Sequence, residues 1–217
     1  MDESQLFFVT GIVLETIATI SNILAFSLPS WIYTYNTDST IGISYAGLWT
    51  FCLDTFYDLR YTYNDNIPLY GCKWIYGEDL KEIRWTILNP DWYIAVQIMA
   101  TVNLILSLIG LFGLYMICFV KKHNCPLIFG IISSFICSLL GYCEVLLYAL
   151  RVKDEEYYKV PNVKSKSLGA AWGMASVAAI ISTFALVALV LSYMTTRKEK
   201  RLVKKLRESA QLLGTDY

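Results

Sequence analysis

Four long apolar stretches limit what this chain can fold into more than any other feature. They cover residues of about 6–28, 92–119, 126–149 and 168–194. A helix needs about 20 apolar residues to cross roughly 30 Å of hydrocarbon, because each residue adds about 1.5 Å. Each stretch meets that length, and 56% of the 217 residues are hydrophobic while only 17% are charged. This composition is typical of a membrane protein, and we predict four transmembrane helices.

The basic residues predict which side of the membrane each connection occupies. Lys and Arg near the ends of spans favour the cytoplasmic side. Seven of them follow the fourth span, and the short second connection contains Lys121 and Lys122. We therefore expect both termini to be cytoplasmic and two loops, residues 30–91 and 150–167, to lie outside. The second loop also contains five basic residues, but three acidic ones accompany them, so the tail is the stronger indicator.

The first outer loop is predicted to be folded, because structureless loops of that length are uncommon in compact proteins. It is rich in Trp, Tyr and Phe, which favour strands, and it contains turn-forming sequences such as Asn64-Asp65-Asn66. These features predict short antiparallel strands. Eight acidic and four basic residues give the loop a net charge of −4. This charge has two interpretations: the loop contacts a neighbouring molecule, or it is simply a solvated surface.

The cysteines are separated by their predicted side of the membrane. Cys52 and Cys72 are the only two of the six that this topology places on the oxidising side. We expect a disulfide between them that stabilises the loop by about 3 kcal/mol; the alternative is two free extracellular thiols. Cys118 and Cys125 flank the basic cytoplasmic connection and are candidates for reversible palmitoylation, with two inert thiols as the alternative.

Polar residues within the predicted spans are costly in hydrocarbon and need partners. By rise per residue, Glu15 and Asn103 lie at similar depth and are predicted to hydrogen-bond across the bundle. Glu144 and Asn22 both fall in the outer third of their spans. A proton or ion relay would need a connected polar path, which the sequence does not show, so we favour a structural role.

The sequence offers little support for catalysis. Its single histidine, His123, lies in the predicted cytoplasmic turn, and no metal-ligand spacing, nucleophile elbow or phosphate loop is present. We predict no enzymatic activity, no catalytic or metal-binding residues and no cofactor. The formal net charge of zero also gives no reason to expect a nucleic-acid partner.

The first outer loop contains, in order, the residues of a known pattern: Trp31, Gly47, Leu48, Trp49, Cys52 and Cys72. In a four-span chain these residues resemble the W–GLW–C–C signature of the claudin and peripheral myelin protein superfamily. The resemblance implies an all-α membrane fold, a left-handed four-helix bundle with a small extracellular antiparallel β-sheet. It also implies that the two cysteines bridge adjacent strands and that Trp49 is inserted against the outer end of the bundle.

The resemblance extends over residues 1–196 as one claudin-like four-span domain, followed by a basic cytoplasmic tail of residues 197–217. Three features depart from the family pattern: a longer gap between the cysteines, an end, Thr215-Asp216-Tyr217, that only loosely resembles a scaffold-binding motif, and the lack of any Asn-x-Ser/Thr sequon for an N-glycan. These departures favour an invertebrate septate-junction member. The tail is predicted to form a basic amphipathic helix that suits the anionic inner leaflet, and its apolar positions are Leu202, Leu206, Ala210 and Leu213.

In function, the resemblance implies a structural protein of the plasma membrane at lateral cell–cell junctions. It would contribute to adhesion and a paracellular diffusion barrier of the septate- or tight-junction type. Its partners would be the lipid bilayer, like or related four-span proteins in cis and trans, and a cytoplasmic scaffold at the C-terminus. The alternatives are an auxiliary subunit of an ion channel or receptor, and a myelin-protein-like membrane organiser.

Overall fold

The computed structural model describes residues 3–35, 41–56, 69–81, 84, 89–119, 125–153 and 165–212. Within these residues the chain forms four long helices, five short strands and one turn of 3-10 helix. All four long helices are apolar enough to cross a membrane. This confirms the predicted fold, a four-helix membrane bundle with a small antiparallel sheet.

The helices are α1 (Glu3–Ser27), α2 (Asp91–Phe119), α3 (Cys125–Lys153) and α4 (Ala170–Leu212). Proline marks two of their ends. α1 stops two residues before Pro29, and α2 begins directly after Pro90, because proline lacks the N–H that a helix interior requires. The first three helices begin and end within a few residues of the predicted spans.

The fourth helix is much longer than its predicted span. It is one continuous helix of 43 residues and passes through the predicted span end at residue 194. Residues 195–212 contain no Gly or Pro and many Lys, Arg, Leu and Glu, all of which favour a helix. Nothing in this part of the sequence therefore ends the helix where the apolar stretch ends, and the tail helix is an extension of α4.

The helices pack as a bundle, with α1 against α4, α2 against α3, α3 against α4 and α1 against α2. Small residues allow close approach where helices cross, as where Gly141 faces Ala179. The outer surface is covered by large apolar side chains along all four helices, a surface that suits contact with lipid; examples are Val13, Ile20, Ile105, Phe112, Phe135, Leu139, Val177 and Phe184.

The strands are β1 (Ile32–Tyr35), β2 (Ile41–Ala46), β3 (Thr50–Phe56), β4 (Leu69–Trp74) and β5 (Ser165–Leu168). They form one sheet in the order β4-β3-β2-β1-β5, and all neighbouring strands are antiparallel. β1 to β4 confirm the strands predicted in the first loop. β5 was not predicted, since its short polar sequence carries no strand signal, and it pairs with β1 along its whole length. Both predicted outer loops thus contribute to a single sheet at one end of the bundle.

Candidate functional site at the junction of sheet and bundle

A disulfide joins the two strands at one edge of the sheet. Cys52 of β3 and Cys72 of β4 are directly opposite each other in the antiparallel register, with Cα atoms 3.9 Å apart. β4 is an edge strand with a neighbour on one side only, so backbone hydrogen bonds hold it less firmly than an inner strand. The bond confirms the predicted pairing and fixes that edge covalently.

Trp31 completes the end of helix α1. The carbonyl of Ala25 would normally accept a hydrogen bond from the backbone N–H four residues later, but that residue is Pro29, which has none. The indole Nε1 of Trp31 donates to this carbonyl instead, at 2.7 Å. A side chain of the loop therefore caps the helix that precedes it.

The same tryptophan also joins the sheet to two further helices. Its ring meets Tyr148 of α3 edge to face, with the ring centroids 4.9 Å apart. Its backbone N–H donates to the carbonyl of Ala46 in β2, and its carbonyl accepts from the N–H of Gly169, which immediately precedes α4; both distances are 2.8 Å. Trp31 is only 1% exposed, so it lies at the centre of the junction.

The Gly-Leu-Trp segment is bound by two polar side chains from the first turns of α2. The hydroxyl of Tyr93 donates to the carbonyl of Gly47. The side-chain nitrogen of Gln97 donates to the carbonyl of Leu48 at 2.6 Å, while its oxygen accepts from the Tyr76 hydroxyl at 3.0 Å. Buried carbonyls need such partners. Sequence reasoning missed both residues, although Gln97 could have been noticed as an amide within a predicted span.

Gly47 leaves no room for a side chain. A Cβ atom there would lie 2.5 Å from the Cα atom of Pro29 and 2.6 Å from the carbonyl oxygen of Leu28. Both neighbours are backbone atoms between α1 and β1, which cannot rotate away. The glycine is therefore required for the close approach of the two segments.

Replacing Gly47 with alanine is expected to destabilise the protein by about 1–3 kcal/mol, because the added methyl group forces the backbones apart. Thermal unfolding in detergent micelles would measure this loss. Gly173→Ala is the matched control, since a Cβ atom there meets nothing within 4 Å. Equal unfolding temperatures for the two variants would contradict the role assigned to Gly47.

Trp49 lies over the end of α1. Its ring is half-buried, with centroid distances of 5.1 Å to Phe26 and 6.3 Å to Tyr76. Its Nε1 atom is buried and has no hydrogen-bond partner among the described residues. The ring thus packs at the sheet end of α1, but Trp31 is enclosed more completely and makes more of the connections.

The polar residues of the spans lie inside the bundle, but their pairing differs from the predicted one. Glu144 interacts with the side chain of Asn103, and Glu15 interacts with the side chain of Ser134. The predicted contact between Glu15 and Asn103 is replaced by two contacts, each of which connects α3 to another helix. Rise per residue sets the depth of a side chain but not its direction around the helix axis. Asn22 is half-buried near the sheet end of α1.

Other predicted features fall outside the described part of the structure. Cys118 and Cys125 belong to the end of α2 and the start of α3, but their side chains are not among those described, nor is the connection of residues 120–124. The same holds for Leu213 in the tail. Among the described residues, no group of three or more His, Cys, Asp or Glu could hold a metal ion.

The family model for PMP-22/EMP/MP20/Claudin tight-junction proteins matches residues 16–191. This range contains the whole sheet, the disulfide and all the signature residues. No curated protein matches the chain. The family match covers well over half of the sequence, and the structure brings Trp31, the Gly-Leu-Trp segment and the disulfide together at one end of a four-helix bundle. The chain therefore belongs to the PMP-22/EMP/MP20/claudin family of membrane proteins.

Proposed function

We propose that this protein is a structural component of cell–cell junctions that contributes to adhesion and to a paracellular diffusion barrier. Family membership supports a tight-junction-like membrane protein with a structural role, in contact with lipid and with related family members. The observation that carries the finer proposal is the construction of the sheet. Strands from two separate connections, a disulfide and the Trp31 contacts hold it rigidly on the bundle, and a rigid surface loses little entropy when it binds a neighbour.

The β4 edge of the sheet is the surface that we assign to this contact. Tyr70 and Trp74 are 68% and 60% exposed, although aromatic residues of this size are usually covered. Exposed aromatic residues are enriched in protein interfaces, and an edge strand offers unpaired backbone groups to a partner. The proposed partners are like or related four-span proteins in cis through this edge, and in trans across the intercellular gap.

For localisation, we propose the plasma membrane at lateral junctions, of the septate type, with the sheet outside and both termini in the cytoplasm. The disulfide supports this orientation because such bonds persist in oxidising compartments. The basic end of α4 lies at the opposite end of that helix from the sheet, which supports the same orientation because Lys and Arg near span ends favour the cytoplasmic side. A membrane-impermeant reductant applied to intact cells should reduce the bond between Cys52 and Cys72. Protection of the bond until the membrane is permeabilised would reverse the orientation.

Depleting the protein from an epithelium tests the barrier function. We expect a small tracer dye to cross the depleted layer while ion-channel currents stay unchanged. Re-expression of the native protein should restore the seal, whereas the Tyr70→Ala variant should reach the membrane but seal poorly. Phe112→Ala is the matched control, because Phe112 is an aromatic residue of nearly equal exposure, 67%, on the lipid-facing side of α2.

The opposite pattern would contradict the barrier function. An intact seal with altered channel currents would identify an auxiliary subunit of a channel or receptor. If the Tyr70→Ala and Phe112→Ala variants sealed equally well, the β4 edge would not be the contact surface, although the proposed barrier function would still stand.

A further inference from the structure

The last part of α4 extends beyond the rest of the bundle. Near this end, the hydroxyl of Ser192 donates to the carbonyl of Ser4 in the first turn of α1, at 2.9 Å. Beyond it, every described side chain from Arg197 to Ser209 is exposed. At about 1.5 Å per residue, α4 is about 65 Å long, roughly twice the thickness of the hydrocarbon core. Residues 197–212, called the α4 extension below, therefore lie outside the spanning part of the helix.

The α4 extension has one apolar side and is otherwise strongly basic. Leu202, Val203 and Leu206 are 61%, 58% and 62% exposed. Their spacing puts them within an arc of about 100° on the helix. The extension contains seven basic and two acidic residues, a net charge of +5. All seven basic residues lie outside the apolar arc, and they are Arg197, Lys198, Lys200, Arg201, Lys204, Lys205 and Arg207.

Two threonines separate the spanning part of α4 from the extension. The hydroxyl of Thr195 donates to the carbonyls of Leu191 and Ser192, each at 2.9 Å, and that of Thr196 donates to the carbonyl of Ser192 at 2.8 Å. Side-chain hydrogen bonds of this kind compete with the helical ones and often bend a helix. β-branched residues also have a lower helix propensity than their neighbours here. This pair therefore provides a point between the spanning part and the extension at which α4 can bend.

We propose that the α4 extension binds the surface of the leaflet from which it emerges, by bending at Thr195 and Thr196. Its three apolar side chains then enter the boundary between headgroups and acyl chains, while the basic side chains bind anionic headgroups. A helix with a narrow apolar arc and a broad basic face is typical of helices that lie in the membrane interface. The leaflet is also the nearest surface, because the spanning part of α4 holds the extension beside it.

Amide hydrogen exchange of the full chain in lipid nanodiscs tests this proposal. One set of discs contains phosphatidylcholine alone, and the other contains phosphatidylserine as well. Each basic side chain near an anionic surface contributes about five-fold to binding, so exchange in residues 197–209 should slow by at least about ten-fold in the anionic discs. High salt should remove most of this protection, because it screens exposed charges.

A charge-matched variant separates amphipathic docking from simple attraction of charge. Leu206→Arg combined with Arg207→Leu keeps the composition and net charge but moves the leucine by about 100° around the helix. The double variant should lose most of the protection. Equal exchange in both kinds of disc, or full protection in the variant, would overturn the proposal. Two other results would also overturn it. If amide exchange in detergent slowed as the protein concentration rose, the extension would bind a second copy of the chain. If exchange slowed only when a cytosolic protein was added, the extension would bind that protein.

Discussion

Replacing Trp31 with alanine is expected to destabilise the protein by about 3–5 kcal/mol, the range found when a large buried aromatic side chain is removed. The change empties the space beside Tyr148 and leaves the Ala25 carbonyl without its donor at the end of α1. It therefore removes packing and a helix cap at once. Thermal unfolding in detergent micelles, followed by near-UV circular dichroism, would measure the loss.

Two further variants make this prediction specific. Trp74→Ala removes a tryptophan that is 60% exposed on β4, and it should change stability by no more than about 0.5 kcal/mol. Trp31→Phe keeps an aromatic ring but loses the indole N–H, and an unsatisfied buried carbonyl costs about 1–3 kcal/mol. Similar losses in Trp31→Ala and Trp74→Ala would show that burial at the junction does not control stability.

Removing the disulfide is expected to cost about 3 kcal/mol, because Cys52 and Cys72 close a chain segment with a sequence separation of 20. The double variant Cys52→Ser and Cys72→Ser avoids leaving a lone thiol. We expect the loss to fall mainly on the sheet, since the bond holds the edge strand β4 while the helices pack independently of it. Protease cleavage near β4 should therefore accelerate while the helical signal in far-UV circular dichroism stays almost unchanged.

The control for the disulfide is Cys143→Ser, which replaces an exposed cysteine of α3 that forms no disulfide. This variant should unfold and resist protease like the native protein. If the double variant also behaved like the native protein, the sheet would be stable through its backbone hydrogen bonds and the Trp31 contacts alone.

Much of the architecture could be predicted from the sequence because the relevant signals are local. The length of an apolar stretch can be set directly against the thickness of a bilayer. Apolar stretches such as those around Val13, Ile105 and Phe184 therefore predict transmembrane helices. The strands in the first loop followed from aromatic residues and turn formers. The Cys52–Cys72 bond followed once the two cysteines were the only ones placed on an oxidising side.

Features that depend on which segments meet in space were not predictable in the same way. β5 becomes a strand only because β1 leaves an open edge beside it. Glu144 lies beside Asn103, and Glu15 beside Ser134, because packing decides how each helix is rotated about its axis. The role of Trp31 as the cap of α1 requires the chain to turn back over the helix end.

Residue type, spacing and predicted compartment are enough to specify the number of spans, the presence of a small sheet and its disulfide. The tertiary structure alone shows how the sheet is attached to the bundle through Trp31, Tyr93 and Gln97. These attachments are contacts between residues distant in the chain, and the hydrophobic pattern does not encode them.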